Sequence, residues 1–194
     1  MNNSRLAFIL FICTFLYGCA TTSVSTYKAA GESKVCGNGY LGEVVVLPEA
    51  AWRENQKEPN KREIMALEEI TSAFKSFPCG QISSKNGIKK FSNWSGSSES
   101  KLAKEFASEG VDTIIIIRIE ELTPRIQISF SLPFLWRGAN EADFRVRVFS
   151  AKTGDVLNDM RVKRLTGGPF NIRPAEWSRK ELNSALAGII GAYN

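Results

Sequence analysis

Three segments of the chain carry apolar residues at spacings of three and four, which places those residues on one face of a helix. The first segment is 61–77. The second follows the capping residues Ser97 and Ser98 and ends at Gly110, and the third begins at Pro174. Their apolar faces consist of Ile64, Leu67, Ile70, Phe74 and Phe77, then Leu102, Ala103 and Phe106, then Trp177, Leu182, Ala185, Leu186 and Ile189.

Strands are predicted where β-branched and aromatic residues run together or alternate with polar ones. Four consecutive isoleucines in 111–119 indicate a strand that is buried on both faces. Alternation of apolar and polar residues indicates further strands with one wet face, and residues 151–154 predict the turn of a hairpin. The predicted strands are 44–47, 88–91, 111–119, 126–132, 144–148 and 156–165.

The order of these elements, β-α-β-α-β-β-β-β-α, predicts the fold class. Helical connections early in the chain favour parallel strand pairs, and the later hairpins favour antiparallel pairs. We therefore expect an α/β fold of the mixed type (α+β), with one mixed parallel and antiparallel sheet packed against about three helices.

The first nineteen residues have the pattern of a secretory signal. Arg5 supplies a positive charge, residues 6–17 form an apolar run that only Thr14 interrupts, and Gly18 precedes Cys19. Twelve helical residues rise about 18 Å, which is short of the roughly 30 Å of a hydrocarbon core. The segment therefore suits a cleaved signal better than a permanent membrane span.

Leu16, Tyr17, Gly18 and Cys19 together resemble the lipobox of bacterial lipoproteins. The resemblance implies that the signal is cut before Cys19, that the Cys19 thiol receives a diacylglycerol, and that the new amine is acylated. Ala20 follows in place of the aspartate that often keeps such proteins at the inner membrane, which implies the periplasmic face of the outer membrane. A plain secretory signal cut near Ala20 and a membrane helix are the alternatives.

The predicted organisation is a signal peptide at 1–18, a lipidated flexible tether at 19–34 and a single periplasmic α/β domain at 35–194. Residues 20–34 are rich in serine, threonine and alanine and show little apolar periodicity, as flexible tethers do. No later apolar run approaches the roughly 18 residues of a membrane helix. The predicted contact with the membrane is therefore the N-terminal lipid.

Two of the four cysteines, Cys36 and Cys79, remain once the signal and the lipidation site are set aside. The bacterial envelope is an oxidising compartment, so we expect these two cysteines to form a disulfide. Two unpaired thiols are the alternative.

The sequence offers few groups for catalysis. It contains no histidine, which excludes Ser-His and Cys-His nucleophiles and histidine-containing metal sites. The G-x-G-x-x-G pattern at 37–42 precedes a predicted strand instead of opening a helix, so we interpret it as a turn. Neighbouring acids at 68–69 and 120–121 do not share a face. We predict no catalytic residue, metal or cofactor, and the mild net charge of +5 does not favour a nucleic-acid partner.

The segment 125–137 is the most suggestive candidate for an interaction site. Its apolar face ends in Phe134, Leu135 and Trp136 and is bracketed by arginines. An exposed hairpin of this kind inserts in a bilayer or docks on a partner. The alternative is a core strand followed by a loop whose aromatic residues cover the sheet.

Residues 110–113, the isoleucine run and the later segment ADFRVRVFSAKTGDVL resemble small α/β lipoproteins of the bacterial envelope. These include the curli-secretion channel lipoprotein and the lipoprotein activator of penicillin-binding proteins. The likeness covers roughly a third of the chain. It implies a helix that ends at glycine, a strand and a hairpin, and it transfers no functional residue.

Two functional hypotheses follow. The first is a non-enzymatic outer-membrane lipoprotein that acts as a binding, scaffold or activator module in the periplasm, with an envelope protein as its partner. The second is an oligomeric membrane-assembly or secretion component that places the 125–137 hairpin in the bilayer. A carboxylate or lysine enzyme is a third possibility for which no constellation of residues is visible.

Overall fold

The computed structural model describes residues 21–52, 54, 58–85, 87–96, 98–127, 137–169 and 176–191. Six strands, three α-helices and two short 3₁₀ helices, Val35–Asn38 and Trp94–Gly96, make up the regular structure of these residues. The strands are β1 (Thr21–Ala30), β2 (Glu43–Ala50), β3 (Gln81–Ile82), β4 (Thr113–Gln127), β5 (Arg137–Ser150) and β6 (Val156–Pro169). The helices are α1 (Pro59–Phe74), α2 (Glu99–Ser108) and α3 (Glu176–Ile190).

The strands form one mixed sheet in the order β1-β6-β5-β4-β2-β3. β2 pairs in parallel with both β3 and β4, because helices connect these strands in the chain. β4, β5, β6 and β1 pair antiparallel, and the turn before β6 places Gly154 at a φ of 79°. The predicted fold class, a mixed sheet packed with three helices, is therefore confirmed.

The two faces of the sheet are covered unequally. α1 and α3 pack side by side on one face, and their buried residues join those of β2, β4, β5 and β6 in the larger core. α2 covers only part of the opposite face, where Leu102, Ala103 and Phe106 meet residues of β2, β4 and the end of β5. The isoleucines of β4 therefore alternate between two cores, as a strand buried on both faces requires.

The predicted disulfide between Cys36 and Cys79 is present, with Cα atoms 5.5 Å apart. It joins the segment before β2 to the turn after α1. The backbone N–H of Leu41 also donates to the carbonyl of Cys79, at 2.6 Å. These links hold the start of the domain against the β3 edge of the sheet.

The prediction of a flexible tether at 19–34 is wrong for residues 21–30, which form β1. This strand pairs with β6 from Thr21, opposite Gly167, to Ala30, opposite Asp159. Asn158 secures the end of the strand, because its side chain accepts from the Glu32 N–H at 2.7 Å and donates to a further backbone carbonyl. Polar residues without periodicity can form this strand because an edge position leaves most of its side chains exposed.

Two predicted strands differ from those in the structure. β4 continues from the isoleucine run to Gln127, so it includes the beginning of the strand predicted at 126–132, and the rest of that predicted strand lies outside the described residues. Beyond Ile119 it pairs with β5 alone, and this edge position tolerates Pro124. The third strand lies at 81–82 instead of 88–91, where Ile88 makes one isolated bridge to Val46.

Removing the disulfide is expected to lower the free energy of unfolding by about 4 kcal/mol, because the bridge closes a long loop in the unfolded chain. The measurement is urea unfolding of the wild type with and without reductant. The Cys36→Ser/Cys79→Ser variant is the control and should match the reduced wild type. Equal stability of the oxidised and reduced wild type would contradict the prediction.

Candidate interaction surface

The residues predicted as sites fall into two groups. Cys36 and Cys79 are joined at one edge of the sheet, as expected. Cys19 and the apolar triplet Phe134, Leu135 and Trp136 lie outside the described residues. The structure also shows a charged surface of the sheet that the sequence did not predict.

This surface is the part of the sheet that α2 leaves uncovered, on the side opposite α1 and α3. We call it the open face. It is formed by the outward residues of β4, β5, β6 and β1, together with Glu49 of β2. Antiparallel strands commonly present one such face to water.

Three arginines lie side by side on neighbouring strands of the open face. Arg118 of β4 pairs with Arg145 of β5, which pairs with Arg161 of β6. Glu49 and Tyr27 occupy the same row on the flanking strands. Like charges directly opposite each other destabilise a sheet, so this arginine row requires anions nearby.

Aspartates neutralise two of the three arginines through paired hydrogen bonds. Arg145 donates from Nε and Nη2 to both carboxylate oxygens of Asp159. Arg161 donates in the same way to Asp143, at 2.8 and 2.9 Å, and lies 2.6 Å from Glu120. The hydrogen bonds to these aspartates raise the pKa of both arginines above the ordinary value. Both guanidinium groups therefore remain charged.

The carboxylates lie beneath the cations. The side chain of Asp143 is 7% exposed, whereas that of Arg161, above it, is 47% exposed. Glu141 is fully buried, and Lys163 reaches it with an Nζ–Oε1 distance of 2.7 Å. The outer layer of the open face therefore consists of cationic groups over buried acids.

Arg118 differs from the other two arginines of the row. Its nearest carboxylate oxygen belongs to Glu49 and lies 4.0 Å from Nη1, at the limit of an ion pair. Its buried Nε has no hydrogen-bond partner in the described part of the chain. The side chain is 41% exposed, so the remaining donors can be reached from solvent.

The sequence predicted only part of the open face. Alternation around Arg145 and Arg147 correctly predicted a wet strand face. The row itself depends on the register among three strands, which no local pattern specifies. Strand register is also what places Asp143 beside Arg161, although the two residues are 18 positions apart.

Residues that are distant in the chain lie next to each other at one end of the sheet. Thr21 of β1 pairs with Gly167, Gly167 with Ala139, and Ala139 with Arg125. We call this the proximal end, because Thr21 follows the predicted lipidation site by two residues. Gln127 and Arg137, which belong to the predicted 125–137 hairpin, are paired at the same end, two positions beyond the pair of Arg125 and Ala139.

The described residues contain neither a cluster of metal ligands nor a membrane-spanning helix. No group of three or more acidic, cysteine or histidine side chains in the described ranges is arranged to hold a metal ion. No helix of the described residues has the length and apolar character to cross a membrane.

Comparison with known proteins gives structural matches alone. No protein-family model and no curated protein matches the sequence. Similar solved structures include the PelC dodecamer from Paraburkholderia phytofirmans, at 11% identity over 87% of this chain and 98% of that one, with a TM-score of 0.42. Lipoprotein GNA1162 from Neisseria meningitidis matches at 17% identity over 78% and 99%, with a TM-score of 0.44.

A minor lipoprotein from Acinetobacter baumannii is a further match, at 9% identity over 78% of this chain and 91% of that one, with a TM-score of 0.38. Bacterial lipoproteins are thus among the similar structures. At these identities and TM-scores the similarity transfers neither a ligand nor an assembly to this chain.

A double-mutant cycle on Arg161→Ala and Asp143→Ala is expected to give a coupling of about 1 kcal/mol, because the carboxylate is buried but the guanidinium is half exposed and screened. The measurement is the free energy of unfolding of the wild type, both single variants and the double variant. The pair Arg179 and Glu68 on the helix side is the matched control. Its acid is 55% exposed, so its coupling should stay below roughly 0.5 kcal/mol. Equal coupling in the two cycles would contradict the described burial.

Proposed function

We propose that the chain is a non-enzymatic, lipid-anchored protein of the bacterial outer membrane that serves as a binding or scaffold module in the periplasm. The observation that carries the proposal is the open face. The sheet there presents a row of three arginines whose side chains are 41–47% exposed. The lipobox-like segment ending at Cys19 supports the anchor.

The arrangement of charges supports binding over catalysis. Asp143 and Asp159 each hold an arginine through two hydrogen bonds, so neither carboxylate is placed to move a proton to or from a substrate. The chain also has no histidine to act as a base near neutral pH. Ion-paired acids and outward cations suit recognition of a charged partner.

The position of β1 supports an anchor that holds the domain close to the membrane. Only Ala20 separates the predicted lipidated residue from the first paired residue, Thr21. A chain segment of this length spans less than about 10 Å even when fully extended. The proximal end of the sheet therefore faces the membrane in the proposed arrangement, and the open face extends away from it.

The test is photo-crosslinking in intact cells with the full-length protein. The probe replaces Tyr27, which is 65% exposed at the end of the arginine row. The control probe replaces Ile64, which is 62% exposed on α1, on the other side of the sheet. We expect a discrete adduct with an envelope protein from position 27, none from position 64, and loss of the adduct in Cys19→Ala.

Two results would count against this proposal. One is the absence of any adduct from the open face in cells. The other is a turnover activity of the purified protein that a single carboxylate or lysine substitution abolishes.

A second candidate function is membrane assembly or secretion by an oligomer that places the 125–137 hairpin in the bilayer. It is favoured by one observation, that Gln127 and Arg137 lie at the same end of the sheet as Thr21. These two strand ends therefore lie on the side of the sheet where the lipid is expected. The sequence between them, which lies outside the described residues, contains the apolar residues Phe134, Leu135 and Trp136.

This second candidate predicts that brominated acyl chains quench the fluorescence of Trp136 when the lipidated protein is reconstituted in vesicles. This quenching should disappear in Trp136→Phe. It should remain in Trp177→Phe, because Trp177 lies on α3 beside Lys180. Unchanged quenching in Trp136→Phe would rule out insertion of this hairpin.

A further inference from the structure

Arg118 is the member of the arginine row whose charge is least neutralised. Arg145 and Arg161 each have a bidentate aspartate, whereas the one carboxylate oxygen near Arg118 among the described residues is that of Glu49, at 4.0 Å. Its paired neighbour on β5 is another cation, Arg145. Within the row, the positive charge of Arg118 is therefore the least compensated, and an added anion there would relieve the repulsion between Arg118 and Arg145.

The donors around Arg118 suit a carboxylate. A guanidinium group presents parallel N–H donors that match both oxygens of a carboxylate, and such paired bonds are the strong ones. Arg147 lies one row away, where its guanidinium packs over the Phe149 ring, 5.4 Å from the centroid. Arg118 thus offers guanidinium donors to a carboxylate beside two further cations, Arg145, which Asp159 already holds, and Arg147.

We propose that Arg118 and Arg145 form a carboxylate-binding site that docks an acidic segment of a partner protein onto the open face. This inference rests on the proposed function and names the chemistry of the partner. It assigns the recognition to Arg118, since Arg145 is already held by Asp159.

The spacing of the row matches the acidic face of a helix. Neighbouring strands are about 4.8 Å apart, so the three arginines span about 10 Å across the sheet. Acidic residues at positions i, i+3 or i+4, and i+7 of a helix span about 10.5 Å along its axis. α2 already lies on this side of the sheet, over Ile116, which precedes Arg118 on the same face. A partner helix would therefore extend the layer that α2 begins.

The position of the row favours a protein over lipid headgroups as the source of the carboxylate. Tyr27, at the end of the row, lies six residues along β1 from Thr21. Six residues of a strand extend about 20 Å. A domain that stands on its proximal end therefore holds the row beyond the headgroups of its own membrane.

The experiment measures binding of poly-L-glutamate to the purified full-length lipoprotein in neutral detergent at fixed salt. Arg118→Gln is expected to weaken binding by about tenfold, the loss typical of one charge-assisted hydrogen-bonded contact. Arg118→Lys keeps the positive charge but loses the paired N–H donors, so its affinity for poly-L-glutamate should lie between those of the wild type and Arg118→Gln. Arg179→Gln removes a cation from the helix side and should leave the affinity unchanged.

Three outcomes would overturn the inference. The first is equal weakening by Arg118→Gln and Arg179→Gln, which would mean attraction by net charge alone. The second is no binding of poly-L-glutamate by the wild type. The third is an effect of Arg118→Gln on binding to phosphatidylglycerol vesicles with none on poly-L-glutamate, which would make the source a lipid.

Crosslinking from position 27 in cells separates failure of this inference from failure of the proposed function. If Arg118→Gln gives the same adduct as the wild type, in the same amount, the docking surface stands and the carboxylate site is wrong. If Arg118→Gln loses the adduct together with poly-L-glutamate binding, the proposed function and the carboxylate site are both supported. If the wild type gives no adduct, the proposed function itself fails.

Discussion

The burial of the isoleucine strand on both faces is the constraint on which the rest of the structure depends. β4 contributes Ile115, Ile117 and Ile119 to the core beneath α1 and α3, and Ile114 and Ile116 to the core beneath α2. Its neighbours are a parallel strand on one side and an antiparallel strand on the other. Each fully buried isoleucine contributes roughly 1.5–3 kcal/mol. Helices must therefore lie on both sides of this strand, which makes the centre of the sheet a three-layer structure.

The open face exists because only the isoleucine part of β4 needs apolar cover on both sides. A bulge at Glu120 changes the phase of β4, so that Leu122 rejoins the larger core opposite Ala142. If the strand had no bulge, strict alternation would place Glu121 on the core side with Ile119, and Leu122 on the open face. Beyond the bulge only one face of the strand needs apolar cover. The other face is free to carry charged residues, and it carries them in cross-strand pairs that only β5 and β6 can complete.

The same geometry connects the predicted anchor to the rest of the molecule. A segment with the composition of a tether becomes the edge strand β1, because β6 pairs with it from Thr21 to Ala30, with one register shift between Lys28 and Ala30. In the proposed arrangement the domain is held to the lipid by a strand of the sheet, and its orientation at the membrane follows from the strand direction. That arrangement places the strand ends Gln127 and Arg137 towards the bilayer and the arginine row away from it. The two candidate functions thus use different ends of one sheet.

Local chemistry in the sequence determined the lipobox resemblance, the three helices, the doubly buried strand, the hairpin at 151–154 and the pairing of Cys36 with Cys79. Each depends on residues close in the chain, or on which cysteines remain once the compartment is inferred. Tertiary structure alone decided that residues 21–30 form a strand, because an edge strand takes its hydrogen bonds from a distant partner and needs no apolar pattern. It also decided the arginine row. Arg118, Arg145 and Arg161 become neighbours only through the register of three strands, and the buried acids beneath them are set by the same register.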